Sequence, residues 1–233
     1  FFYFIGLFTL FIDYKYVIPW LFLSLGIFAK WTIIGHHICH GGYDFVDKKY
    51  NKRLYGQKTL YRRVIDWFEW WIIESWNIEH NNLHHYYLGE QCDPDLTERN
   101  LSILRDSNLP YIVKKLILFI SAFIWKWFYY APNTYKYYCL NKFKMTNIDK
   151  YNKLSTETLY SPFTIMPYIL NNEEWMGKFF VNVLFPYILY MYCIIPLLWS
   201  VIFYVTNTDI TNIYNVYVNI LLAELLTNLY SFI

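Results

Sequence analysis

Three long stretches, 17–29, 179–205 and 216–233, carry almost no charge, and this restricts the fold more than any other feature of the chain. Crossing ~30 Å of hydrocarbon takes roughly 20 largely apolar residues. With their apolar flanks, and with a further apolar run at the start, the stretches predict spans at about 1–12, 17–35, 178–205 and 215–233. Composition agrees, with 56% hydrophobic and 23% aromatic residues in 233. Twenty-five Tyr, nineteen Phe and ten Trp exceed what a soluble core needs. The sequence reads as an all-α integral membrane protein.

Charge sets the topology. The segment 48–63 holds Lys48, Lys49, Lys52, Arg53, Lys58, Arg62 and Arg63, and cytoplasmic flanks are rich in Lys and Arg. Stretches 64–76 and 116–125 are apolar but short, or interrupted by charge, and suit helices lying at the interface. If 111–131 crossed, the Lys-bearing stretch 136–178 would face away from 48–63. The turn 206–213 has Asp209 and neither Lys nor Arg, as a lumenal turn should. The expected architecture is four transmembrane helices in two hairpins, with a cytosolic cap of interfacial helices over 36–177. Trp67, Trp70, Trp71 and Trp76 read as interfacial anchors. The basic segment reads as membrane-surface attraction before any contact with a phosphate. The chain opens on Phe1-Phe2-Tyr3 and closes on Ser231-Phe232-Ile233, inside apolar runs, and so reads as a piece of a longer protein.

A net charge of +2 is too small to point to nucleic acid. The four cysteines, Cys39, Cys92, Cys139 and Cys193, form no CxxC, which favours reduced thiols over a disulfide framework.

All six histidines fall in two clusters. His36, His37 and His40 lie in Gly35-His36-His37-Ile38-Cys39-His40-Gly41-Gly42, and His80, His84 and His85 in Glu79-His80-Asn81-Asn82-Leu83-His84-His85. Imidazole is the commonest side-chain metal ligand. On an α-helix His36 and His40 share a face, as do His80 and His84, while His85 lies well round the helix from His84. Two such faces can hold two metals between them. An all-imidazole set suits Fe, Zn, Cu or Ni. HExxH is absent, which disfavours a zincin, and six histidines exceed a structural zinc site. Gly41-Gly42 can end the first helix in a left-handed cap. Glu79, Glu90, Asp93 and Asp95 surround the second cluster and can accept hydrogen bonds from ring nitrogens.

His36-x3-His40 followed by His80-x3-His84-His85 resembles the histidine boxes of the membrane-bound fatty acid desaturase superfamily. The string from Glu79 to Asp95, with Asp93-Pro94-Asp95, looks like its second-box region, and His40-Gly41-Gly42-Tyr43-Asp44 like its first. The resemblance implies a partial fatty acid desaturase domain over 1–233, in the endoplasmic reticulum or a plastid, with both clusters facing the cytosol. It implies a non-haem di-iron centre that uses O2 to remove two hydrogens from an acyl chain. The substrate would be a fatty acyl-CoA or acyl-lipid, and the electron donor cytochrome b5-like or ferredoxin-like. His36, His40, His80, His84 and His85 would be iron ligands. His37 would be a ligand or an outer partner of one, and Glu79, Asp93, Asp95 and Asn228 would support the centre. Asp93-Pro94-Asp95 also reads as a turn, and Glu224 and Asn228 as a helix–helix hydrogen bond.

Two departures stand out. The second box has three residues before its His pair, where the commonest family form has two. The family also has a third box, HxxHH, and holds its irons with eight or nine histidines, so this stretch alone is not expected to be competent. Related acyl or sphingoid hydroxylases and desaturases share these motifs. A non-catalytic His-rich metal- or haem-binding membrane protein is the reading from another class.

Overall fold

The structure, a computed structural model, describes residues 1–57, 59–66, 72–149, 152 and 177–232. Among them every regular element is a helix. Lys58, Trp67, Trp70 and Trp71 lie outside the described residues, as do 150–151 and 153–176 of the basic stretch.

The main helices are α1 (Phe2–Phe8), α2 (Ile18–Cys39), α3 (Leu60–Asp66), α4 (73–87), α5 (Tyr111–Ala122), α6 (126–146), α7 (Gly177–Val205) and α8 (Ile213–Phe232). Two of them, α2 with 22 residues and α7 with 29, are long and apolar enough to cross a membrane. α8 has 20 residues, but Asn219, Glu224, Thr227 and Asn228 line its buried face. α1 stops at Phe8, short of the 1–12 expected, where the Thr9 hydroxyl turns back to the Ile5 carbonyl at 2.7 Å. A single helix over 64–76 does not form. Ile72 is extended, with ψ 123°, in keeping with the poor helix preference of the β-branched pair Ile72-Ile73, and α4 begins anew after it.

The chain divides into two compact units. The first comprises Phe1–His37, Ala122–Ile124 and Phe185–Ile233. Here α1 lies against α2, and α8 against both α2 and α7. Close approach of α1 and α2 depends on two glycines. A Cβ on Gly6 would strike the Leu23 backbone, and one on Gly26 would strike the Tyr3 backbone. Small residues at such crossings let helices pack without a hydrophobic driving force. The polar face of α8 is consumed inside the unit. Asn219 donates to the Leu10 and Ile12 carbonyls, both at 2.9 Å, closing the end of the α1 turn. Tyr187 donates to Glu224 at 2.6 Å, and Asn228 to the Glu224 carbonyl at 2.8 Å.

The second unit comprises Ile38–Ser121 and Trp125–Leu184. Its centre is α6 packed against α4. Trp76 of α4 is 2% exposed and donates to the buried Tyr130 hydroxyl at 3.1 Å. The expected role of Trp76 as an interfacial anchor is thereby corrected: its ring is core, because α6 covers that face of α4. Lys126 and Lys136, which flank or begin the stretch read as surface charge, are buried at 0% and 1% exposure. α5, by contrast, leaves Tyr111, Ile112, Leu116, Phe119 and Ile120 exposed.

Candidate metal centre

The first cluster straddles a helix end. α2 runs through a π segment, Ala29–Gly35, into the turn His36–Cys39. Gly41 then takes φ +83° and its N–H closes on the Ile38 carbonyl at 2.9 Å. Glycine tolerates this left-handed conformation where other residues are strained. Asp44 pins the loop that follows, accepting from the Lys52 N–H at 2.9 Å. His40 is exposed at this corner. His36 and His37 belong to the first unit, on the last turn of α2, His36 half-buried and His37 exposed.

The second cluster sits on a π segment, Asn77–His84, inside α4. A π turn closes i→i+5 hydrogen bonds. Across the π turn the His85 Nε2 faces that of His80 at 3.1 Å. The last histidine of the cluster thus meets the first. The His40 ring lies 4.7 Å from that of His85 and 5.5 Å from that of His80. One nitrogen from each of His40, His80 and His85 falls within 4.8 Å of the others, a group that can hold a metal ion.

Two side chains that the sequence does not single out as part of a metal site fix this arrangement. Asn81 donates to the Cys39 carbonyl at 3.0 Å and to Asn77 at 2.7 Å, tying α4 to the first cluster. The Trp76 ring stacks on His80 with centroids 4.3 Å apart. The signal available in the sequence was position: Trp76 precedes His80 by four residues and Asn81 follows it.

The loop after α4 is built around Asp93, which is 3% exposed. Its carboxylate accepts from the Gly89 N–H at 2.8 Å and the Asp95 N–H at 2.9 Å, and meets His84 Nδ1 at 2.8 Å. Burial opposes its charge, yet these donors hold the carboxyl below the usual range. With Nδ1–H given to Asp93, the His84 ring is oriented and its other nitrogen left to bind. Arg99 donates to the Asp93 and Pro94 carbonyls at 2.7 and 3.2 Å, and Asn100 to that of Pro94 at 2.8 Å. Asp93-Pro94-Asp95 is both the turn and the partner of an imidazole. His80, His84 and Asp95 form a second group of potential ligands within 4.8 Å.

Glu79 and Glu90 depart from expectation. Glu79 is 0% exposed, and one step round the helix from His80 its carboxyl faces Asp95 and Lys136 instead of an imidazole. Burial first, then the charge of Asp95, pushes it well above the carboxylate range. Burial likewise pushes Asp95 up, and draws the Lys136 ammonium down to about 7. Glu90 is exposed in the turn. Asn228 lies in the first unit, bonded within its own helix. His37 joins neither ligand group among the described residues.

Two imidazole-rich groups can therefore hold a metal ion. No protein-family model, curated protein or solved structure matches the chain.

Proposed function

We propose that the chain is part of a histidine-box membrane desaturase that removes two hydrogens from a fatty acyl chain at the expense of O2. The observation that carries this reading is the convergence of the two boxes, with His40, His80 and His85 offering nitrogens within 4.8 Å of one another. The donor set fits non-haem iron: neutral imidazoles without a thiolate pair, beside buried carboxylates. Two irons, when bound, would supply the oxidant that an unactivated C–H bond requires. His36, four residues before His40, and His84 are proposed to complete the ligand set, with His37 as a ligand or outer partner. Asp93 holds the His84 ring, Trp76 backs the His80 ring, and Asn81 keeps the two boxes in register.

The wider reading is also ours. Alongside α2 and α7, the segments 1–12 and 215–233 are proposed to cross the bilayer, giving two hairpins. α3 and α5 would lie along the cytosolic interface, and the exposed apolar face of α5 suits that place. The endoplasmic reticulum is the proposed compartment. The proposed partners are a fatty acyl-CoA or acyl-lipid substrate and a cytochrome b5-like or ferredoxin-like donor.

Expression of the protein in cells, with gas chromatography of cellular acyl chains and metal analysis, tests this. A new double bond with two non-haem irons per chain is expected. A hydroxylated product would place the protein among the related hydroxylases. Bound metal without product would favour a metal-binding protein, and a Soret band would favour a haem carrier.

A further inference from the structure

We propose that His80, His84 and Asp95 form a metal position of their own, in which Asp95 is a direct carboxylate ligand. The inference rests on the metal-centre reading above and deepens it: that reading makes Asp95 an outer partner of an imidazole.

Three observations carry it. First, one nitrogen each of His80 and His84 and one oxygen of Asp95 lie within 4.8 Å of one another. Ligands on one metal at bond lengths of about 2.1 Å are at most ~4.2 Å apart, so small side-chain rotations close the set. Second, the turn that carries the carboxylate is held in place before any metal arrives. Arg99 grips the Asp93 and Pro94 carbonyls, Asn100 grips that of Pro94 while also donating to the Tyr129 hydroxyl, and the Asp95 N–H is tied to Asp93. A ligand carried on such a turn loses little freedom on binding. Third, the donor types are complementary. Two imidazoles and one carboxylate with open positions is the set that suits non-haem Fe(II). The other group, His40, His80 and His85, offers only imidazole nitrogens. Two divalent cations a few ångströms apart repel each other, and an anionic ligand on one of them offsets part of that repulsion.

His84 meets two carboxylates with different tasks. Asp93 spends both oxygens on backbone N–H groups and the ring, which makes it a positioning residue. The Asp95 carboxylate caps no backbone N–H among the described residues and sits beside the imidazoles. His80 is common to both groups; to serve both ions at once its ring gives up the N–H proton and bridges them through its two nitrogens, so loss of the ring should weaken both positions.

The test is a Co2+ titration of the metal-free chain in detergent micelles, followed by visible absorption and by metal content after gel filtration. Two Co2+ per chain are expected for the wild type. D95N, isosteric and uncharged, should bind one, with the absorption of the carboxylate position gone, and H84A should do the same. H85A should lose the other position, and H80A should bind both ions at least tenfold more weakly. D95E should recover two ions with a shifted spectrum, which a merely structural role would not produce and which keeps the test sound if D95N unfolds. D95N that binds two Co2+ with an unchanged spectrum overturns the proposal. A wild type that binds no Co2+ overturns the metal-centre reading itself, a separate and recognisable result.

Discussion

His80 and His85 face each other nitrogen to nitrogen, Nε2 to Nε2 at 3.1 Å, across a π turn of helix α4. In an unbroken α-helix residues five apart diverge by more than a quarter turn. The π turn restores the alignment. Backbone register, and not only side-chain identity, therefore makes the cluster.

That relationship can be tested by changing chain length. Asn82 is exposed within the π segment. Deleting it should let α4 run as an α-helix with its first and last box histidines four apart, so Co2+ affinity is expected to stay within a few-fold of wild type. Inserting one alanine after Asn82 adds a residue that the turn cannot absorb, and should lower affinity at least a hundredfold. Equal affinities in the two variants would show that the π register has no part in holding metal.

Asp93→Asn should weaken metal binding ~10–100-fold, the usual effect of removing the group that orients a ligating histidine. It should also lower stability by about 2–3 kcal/mol through three weakened hydrogen bonds to a charged acceptor. The sign with pH follows from a depressed carboxyl. In the unfolded chain Asp93 titrates at its ordinary value of 3.8, and in the folded chain lower. Its contribution is thus fully present above that value and fades as pH falls through the folded pKa. Melting curves of wild type and variant should converge only in strong acid; convergence already at neutral pH would rule out an ionised Asp93 as the organiser of the loop.

Much of this was legible in the sequence. Six histidines in two clusters are a compositional fact, and their i, i+4 spacings place them on helix faces. The long helices α2 and α7 follow from uncharged length alone. Other features escaped because they depend on contacts between distant segments. Nothing in the string Asn77–His84 announces a π register. Lys136 looks like one more basic residue, yet burial beside Glu79 reverses its role. Trp76 belongs to a Trp-rich run that suggests an interface, and only the Tyr130 hydroxyl and the His80 ring reveal it as core. Gly6 and Gly26 are too far apart in the chain to read as a pair.

Gly26→Leu should separate α1 from α2, because even a single added carbon meets the Tyr3 backbone. Overpacking of this kind typically costs about 1–3 kcal/mol. The expected result is a lower midpoint of thermal unfolding in detergent, with Ala producing a smaller drop than Leu. A Leu variant as stable as wild type would show that the two helices do not lie in contact.

Lys136→Met should raise stability in a pH-dependent way, and the direction is fixed by how burial acts on an ammonium. The folded chain holds Lys136 at about 7, the unfolded chain at its ordinary 10.5. Between those values the unfolded state binds more protons, so the stability of the wild type rises with pH across that window. Below about 7 the folded protein must keep a charge in a desolvated place, only partly offset by Glu79 and Asp95. Methionine fills similar space without a charge. The variant should therefore exceed the wild type most at or below pH 7, and the gap should close toward pH 10.5. Differential scanning fluorimetry of both proteins in one detergent across this range measures it. A gap that stays constant with pH would mean that Lys136 keeps its proton throughout, and that the neighbouring carboxylates compensate its burial in full.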